Sequence, residues 1–308
     1  MLVSVIIPAY NAAKTITKTL QSVFDQNYIH IEIIIVNDGS TDNTEQVLSQ
    51  YFDKIKYIYQ ANAGVSVARN TGYTEAKGEY IQYLDADDLL AKDKISIQVE
   101  ALKNNNAEVA YGDWIKFTET DQAFKELEIV SREIQGRAEI ELITYFWVPL
   151  AALLYKRTIT EKIGNWNVNL PIIQDARYAL DAALNHANFV YTPGVMAYYR
   201  AHDSGSLSTK NKLAFMLDCF ENAKQIDAIW RKDYDADVEK KNAIIQVLRF
   251  CVTEFSTHDK IKHKEAIDYI LDIEPNYIPE NSSGMRAMSK IIGYRNAERI
   301  ASIKRKLS

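Results

Sequence analysis

Three aspartates crowd one turn of this chain. Asp85, Asp87 and Asp88 fall within four positions in the stretch LDADDLL, residues 84–90. Carboxylates this close repel, and each resists ionising while its neighbours are charged. Three kinds of chemistry would account for them. A solvated turn that caps the next helix is one. A hard-cation site is another, because carboxylates at i and i+2 on a bend can face one Mg²⁺ or Mn²⁺ that neutralises them. An EF-hand calcium loop is the third, and it fails because its glycine and later ligand positions are missing. A fourth carboxylate, Asp38, sits in Asn37-Asp38-Gly39-Ser40, a cluster able to hydrogen-bond a nucleoside ring or ribose.

The elements that must position these groups follow from periodicity. Residues 3–7 form a β-branched run ended by Pro8, and residues 31–36 form a second apolar run. Both have the pattern of buried parallel strands. Strands are also expected at 55–59 and 80–84. Helices are expected from a cap at Asn11 through 26, from Thr41 to about 51, and over 63–76. Four alternations of strand and helix within about 85 residues predict a parallel sheet covered on both faces. Ligands of such sheets bind beyond the carboxyl ends of the strands. There the chain places Pro8-Ala9-Tyr10-Asn11, Asn37-Asp38-Gly39-Ser40, Ala61-Asn62-Ala63-Gly64 and Asp85-Ala86-Asp87-Asp88. Further on, a helix is expected over 95–102, strands over 109–117 and 151–155, a helix over 175–184, and edge strands at 189–191 and 195–199. Helices then fill 210–231, 235–256, 260–271 and 285–307. The expected organisation is 1–208, divided into a nucleotide-binding half (1–105) and an acceptor half (106–208), followed by a helical region, 209–308.

Composition narrows the function. The chain has 308 residues, 47% hydrophobic and 25% charged, which suits a globular protein with a large core. A net charge of −5 gives no overall basic signature for nucleic acid. No apolar run reaches the ~18 residues of a membrane span. The apolar start MLVSVIIPAYN lacks a basic leader and reads as a strand rather than a signal peptide. Cys219 and Cys251 are far apart with no CxxC, as expected of buried thiols in a reducing cytoplasm. Nineteen scattered tyrosines point to no chemistry by themselves. No G-x-G-x-x-G or G-x-x-x-x-G-K-[ST] is present, so a diphosphate would be held by metal and side chains rather than by a glycine cradle.

VSVIIPAYN (3–11), IVNDGSTDNT (35–44), NAGVSVARNTG (62–72) and YLDADDLL (83–90) together resemble the ordered blocks of glycosyltransferase family 2. The resemblance spans residues 1–110 and, more loosely, 145–207. It implies the GT-A fold and transfer of a sugar from a nucleotide-sugar donor. By the same resemblance, Pro8, Ala9, Tyr10, Asn11 and Asp38 would contact base and ribose, and Asn62 and Gly64 would line the nucleotide pocket. Arg69 would reach the base or brace the acidic cluster, its bland alternative being a surface ion pair. Asp85 and Ala86 would face ribose or metal, Asp87 would be the main ligand of Mn²⁺ or Mg²⁺, and Asp88 would cap the next helix.

Inverting members resemble the segment 170–178, usually with two acids opening a helix. Here the pair is Gln174-Asp175, so Asp175 matches the general base and the first acid is missing. The bland reading of Asp175 is a helix N-terminal acid favoured by the macrodipole. The segment 199–208 resembles the family's Y-R-x-H-x-x-S-x-S loop. It would supply Arg200, Ser204 and Ser206 to phosphate and His202 to phosphate or metal, closing over the donor. Trp147 would stack on a sugar or lie in the core.

The tail 285–308 carries seven basic residues against Glu298 alone, with Met288, Ile292, Ile300, Ile303 and Leu307 near helical spacing. It would pack on its own region, lie on an anionic membrane, or pair with a second copy. The expected enzyme is cytoplasmic or peripheral at the inner face of the membrane. Its donor would be a UDP-sugar and its acceptor a saccharide or lipid-linked saccharide in surface glycan synthesis. A sugar nucleotidyltransferase should carry a G-x-G-x-R segment after the first strand, where this chain has Pro8-Ala9-Tyr10-Asn11. A degenerate sugar-nucleotide-binding partner is favoured by Gln174 alone.

Overall fold

In a computed structural model, the structure of the chain is described for residues 1–120, 123–201, 207–280 and 282–307. It separates into two compact units. One comprises residues 1–142 and 146–206, and the other 143–145 and 207–308.

The first unit is built on a nine-stranded sheet. Its strands in chain order are β1 (Val3–Ala9), β2 (Ile31–Asp38), β3 (Lys56–Gln60), β4 (Tyr80–Tyr83), β5 (Leu89–Leu90), β6 (Val109–Thr120), β7 (Ala123–Val130), β8 (Leu153–Lys156) and β9 (Phe189–Arg200). They lie in the order β3-β2-β1-β4-β8-β6-β9-β5, with β7 paired to β6. The first four strands are parallel: Val5 pairs with Ile33, Ile34 with Lys56, and Ser4 with Ile81. β8 runs antiparallel to both β4 and β6. Every residue of β1 is buried, as its unbroken β-branched run requires.

Several expectations are corrected by side-chain bonding. Pro8 does not end β1; it lies within the strand, opposite Val36. The first helix is Ile16–Phe24, and Asn11 does not cap it. Asn11 instead adopts φ 51°. Its Oδ1 accepts from the Thr41 and Asp42 backbone N–H groups, so it ties the first loop to the second. The second helix starts at Thr44 rather than Thr41, after Asp42 accepts from the Thr44 N–H. The third begins at Val65, after Gly64 turns at φ 93°. Ala151 and Ala152 belong to a 3₁₀ turn, so β8 starts at Leu153. The two expected edge strands are one interior strand, β9, held between β6 and β5. Pro193 and Gly194 interrupt its apolar pattern. The ladder absorbs them by stepping from Gly112↔Thr192 to Asp113↔Val195, and the Gly194 N–H bonds Asp113 Oδ2 at 3.0 Å.

The second unit is helical: Lys212–Trp230, Val238–His258, Lys260–Ile273, Ser283–Ile292 and Tyr294–Leu307, preceded by a single turn at Leu207–Lys210. Phe220, Ile226, Leu248, Phe255 and Ile270 form its core. The expected helix over 285–307 breaks at Gly293, which takes φ 78°. Its buried face also differs from the expected apolar stripe. Met285, Ser289, Tyr294, Ala297 and Glu298 are buried, whereas Ile291, Ile292, Ile300 and Ile303 are exposed. Glu298 is paired to Arg305 at 3.0 Å, so the ion pair sits on the side the isoleucines were expected to take. No helix among the described residues is long and apolar enough to cross a membrane. Cys251 is buried and Cys219 half-buried, both as free thiols.

Candidate active site

The loops after β1, β2, β3 and β4 meet at the carboxyl edge of the sheet, where the sequence placed them. Of the first loop, Pro8 and Ala9 are buried in the strand. Tyr10 is 52% exposed and Asn11 is exposed. Asp38 is 3% exposed, and its carboxylate is occupied. Oδ1 accepts from Gln60 Nε2 (2.7 Å) and the Ala63 N–H (2.9 Å), and Oδ2 accepts from the Gly64 N–H (2.9 Å). Asp38 thus braces the loop carrying Asn62 and Gly64, both exposed.

Gly39 makes that brace possible. It adopts φ 70°, and a Cβ there would stand 2.7 Å from the Asn62 backbone nitrogen. Gly39→Ala should therefore push the Asn62 loop outward and cost about 1–3 kcal/mol of stability. Thermal melts with and without nucleotide check this. Wild-type melting and nucleotide response in the variant would contradict it.

Arg69 is a buried brace rather than a surface ion-pair partner. It is 2% exposed, donates from Nη2 to Asp85 Oδ1 at 2.6 Å, and lies over the Trp166 ring at 4.4 Å. Its Nε and Nη1 have no hydrogen-bond partner. Trp166 stacks on Tyr178 at 4.0 Å, with Tyr83 and Tyr155 edge-on around Tyr178. The Tyr83 and Tyr178 hydroxyls are 3.2 Å apart. This aromatic floor comes from two strands, a helix and the loop before it, and the tyrosine count carried no sign of it.

Asp85, Ala86 and Asp87 are half-buried, and Asp88 is buried at 2% exposure. Asp88 does not cap a helix. Its Oδ1 accepts the Arg200 backbone N–H at 2.8 Å, which joins the acidic turn to β9. Burial, then the charges of Asp87 and Asp85, hold its carboxyl well above the ordinary carboxylate range. The Arg200 side chain is 8% exposed and is turned to the same junction instead of standing open for phosphate. Nε donates to the Asp87 carbonyl (2.8 Å), Nη1 to Glu119 (3.1 Å), and the guanidinium lies 4.6 Å from the Phe117 ring centre. Its Nη2 has no hydrogen-bond partner. His202, Ser204 and Ser206 lie outside the described residues.

The donor set can be weighed for a divalent ion. Among the described residues no three His, Cys, Asp or Glu side chains gather into a metal cage. Asp85 and Asp87 supply two hard carboxylates. That is the share of a Mg²⁺ or Mn²⁺ shell a protein ordinarily contributes when donor phosphates and water complete it. The residues present fit such an ion, which Asp87 and Asp85 would hold.

Asp175 opens the helix Gln174–Leu184. Its Oδ1 accepts the Ala176 N–H and its Oδ2 accepts the Trp147 indole N–H, both at 2.8 Å. Burial raises its pKa. These two bonds and the charge of Arg69 oppose that rise, while Asp85 adds to it. Trp147 is half-buried, between a sugar-facing platform and a core residue, and no local pattern marks its bond to Asp175. Gln174 is buried, with Nε2 directed to the Pro171 carbonyl and Oε1 without a partner. The Tyr199 hydroxyl pKa is raised by burial and then by the charges of Asp88, Asp175, Asp85 and Asp87.

Comparison with known proteins fits this architecture. Residues 4–164 match the model of Glycosyl transferase family 2. The chain belongs to glycosyltransferase family 2. Among relatives of this family, it is 42% identical over 114 residues to the putative teichuronic acid biosynthesis glycosyltransferase TuaG of Bacillus subtilis, covering 36% of this chain and 45% of TuaG. It is 36% identical over 125 residues to glycosyltransferase GlyA of Streptococcus pneumoniae, covering 40% of this chain and 18% of GlyA. The chain thus spans less than half the length of either relative. S. aureus TarS 1–349 in complex with UDP shares the fold at a TM-score of 0.65 and 19% identity, over 99% of this chain and 92% of that one. The mannosyltransferase PcManGT of Pyrobaculum calidifontis, in complex with GDP-Man and Mn²⁺, aligns at 0.54 and 16% identity, over 98% of this chain and 86% of that one. The fold is the GT-A fold of these family members, with a helical C-terminal region.

Proposed function

We propose that this family 2 member transfers a sugar from a UDP-sugar to a saccharide or lipid-linked saccharide acceptor, with inversion, in the synthesis of a surface glycan. The observation that carries the reading is the position of Arg69. It bonds Asp85 of the acidic turn and lies over Trp166, which stacks on Tyr178 of the helix that Asp175 opens, so one cation links the turn that would face the diphosphate to the helix of the candidate base. The UDP and UDP-sugar donor is supported by TarS, whose 1–349 fragment was solved with UDP and with UDP-GlcNAc. A surface-glycan acceptor is supported by the name of TuaG.

On this reading the loops after β1, β2 and β3 hold the nucleoside, and Asp85 and Asp87 face the diphosphate. A bound Mg²⁺ or Mn²⁺ would neutralise charge on the departing diphosphate. The acceptor hydroxyl attacks the anomeric carbon, its proton passes to Asp175, and the bond from that carbon to the diphosphate oxygen breaks. The transition state is oxocarbenium-like, as in inverting glycoside hydrolysis. Trp147, which bonds Asp175 and packs edge-on against Tyr199, places apolar surface beside the base.

The test is thermal stabilisation by UDP, GDP, dTDP and their sugars, with and without Mn²⁺ or Mg²⁺. A metal-dependent rise in Tm with UDP and UDP-sugars is expected. A rise with GDP or dTDP instead would change the donor, and no rise with any nucleotide would contradict the reading.

A further inference from the structure

We propose that Trp147 is a positioning residue for Asp175, its indole N–H fixing one carboxylate oxygen so that the other presents a lone pair to the acceptor hydroxyl. This rests on the reading of Asp175 as the general base. The geometry is specific. The Nε1–Oδ2 separation is 2.8 Å, and Oδ1 is held separately by the Ala176 N–H at 2.8 Å. With both oxygens bonded, the carboxylate cannot rotate about its Cβ–Cγ bond without breaking one of them.

Trp147 is itself clamped. Its ring meets Trp114 edge-on at 6.0 Å and Tyr199 at 5.3 Å. Trp114 lies on β6 and Tyr199 on β9. These strands are paired, with Trp114 opposite Ala197 and Lys116 opposite Tyr199. The indole is therefore registered to the sheet, and through it so is the carboxylate at the start of a separate helix. Trp114 offers a natural comparison. It is 2% exposed in the same aromatic cluster, yet its indole N–H has no partner.

The bond has an electrostatic consequence as well. A donor to the ionised form of a carboxylate favours that form. Burial pushes Asp175 towards protonation, and the Trp147 N–H is the leading group opposing it. The other charged or titratable groups facing Asp175 are Arg69 from the helix Val65–Glu75, Asp85 from the acidic turn, Tyr155 from β8 and Tyr199 from β9. Arg69 alone among them carries positive charge. Loss of the indole N–H should leave more of the base protonated near neutral pH.

Trp147→Phe keeps an aromatic ring and removes the N–H. The expected result is a fall in kcat of about tenfold or more at pH 7. The acid limb of kcat/KM should move to higher pH, with the KM for the donor unchanged. Trp114→Phe, which deletes an unpartnered N–H from the same cluster, should leave the acid limb where it is. An acid limb unmoved in Trp147→Phe, or moved equally in both variants, would overturn the proposal. Where Trp147→Phe fails to fold, replacing Trp147 by its benzothienyl analogue, with sulfur in place of N–H, makes the same test. Asp175→Asn separates the two levels. If it retains transfer, the base assignment fails; if it is inactive while Trp147→Phe keeps the wild-type pH profile, only the positioning role fails.

Discussion

Asp175→Asn should bind the donor as the wild type does and lose transfer by about 10²–10⁴-fold. The expectation follows from what the substitution preserves. Asparagine is isosteric, its Oδ1 can still accept the Trp147 or Ala176 N–H, and the helix Gln174–Leu184 is not disturbed. What is lost is the capacity to take a proton. A sugar hydroxyl is a poor nucleophile at neutral pH, so without a base the attack must create a cationic ether oxygen before its proton leaves. The single carboxylate sharpens this prediction. Gln174 stands where inverting relatives usually carry a second acid, and its side chain is buried with one bond to the Pro171 carbonyl. It offers no proton acceptor to substitute for Asp175. Initial rates of UDP release in the presence of acceptor, beside calorimetric donor affinity, separate the two quantities. Transfer retained within a few-fold would place the base elsewhere.

Asp87→Asn should weaken metal-dependent donor binding by about tenfold or more while leaving the fold intact. The main-chain role of Asp87 survives the change, because its carbonyl, not its carboxylate, accepts from Arg200 Nε. Asp88 keeps the turn on β9 through the Arg200 N–H, and Arg69 keeps Asp85. The substitution thus removes charge from a turn that Asp88 and Arg69 also hold. With UDP and Mn²⁺ the wild type should gain stability and the variant much less. Equal stabilisation of both proteins by UDP and Mn²⁺ would remove Asp87 from the metal site.

The sequence made the nucleotide half legible because its information is local. The four strand–loop blocks are short, their apolar runs are unbroken, and a parallel sheet leaves the carboxyl edge as the one place where the loops converge. The side-chain assignments within that edge were less legible, because loops that converge also bond to one another. Asn11 and Asp38 carry the residue types of a cap and of a ribose ligand, but the structure spends them on neighbouring loops. Arg200 lies in a segment suited to phosphate, yet its position at the end of an interior strand turns it to the Asp87 carbonyl. Trp147 and the tyrosines of the floor carried no local signal. Their partners are 28 residues away for Trp147 and 95 for Tyr83, and both lie on the helix Gln174–Leu184, which only the tertiary fold brings to them. In the tail, helical spacing suggested one apolar stripe, but Gly293 interrupts the helix and puts Tyr294 and Ala297 inward in its place.

The measurement that tests the central claim most directly is the anomeric configuration of the new glycosidic bond. The UDP-sugar that gives the largest metal-dependent stabilisation would be incubated with the protein and a saccharide acceptor, and the linkage of the product read by proton NMR. A single displacement assisted by Asp175 predicts that an α-linked donor yields a β-linked product. An α-linked product would contradict the account, because it requires two displacements or attack on the same face, and a lone base on the acceptor side supplies neither.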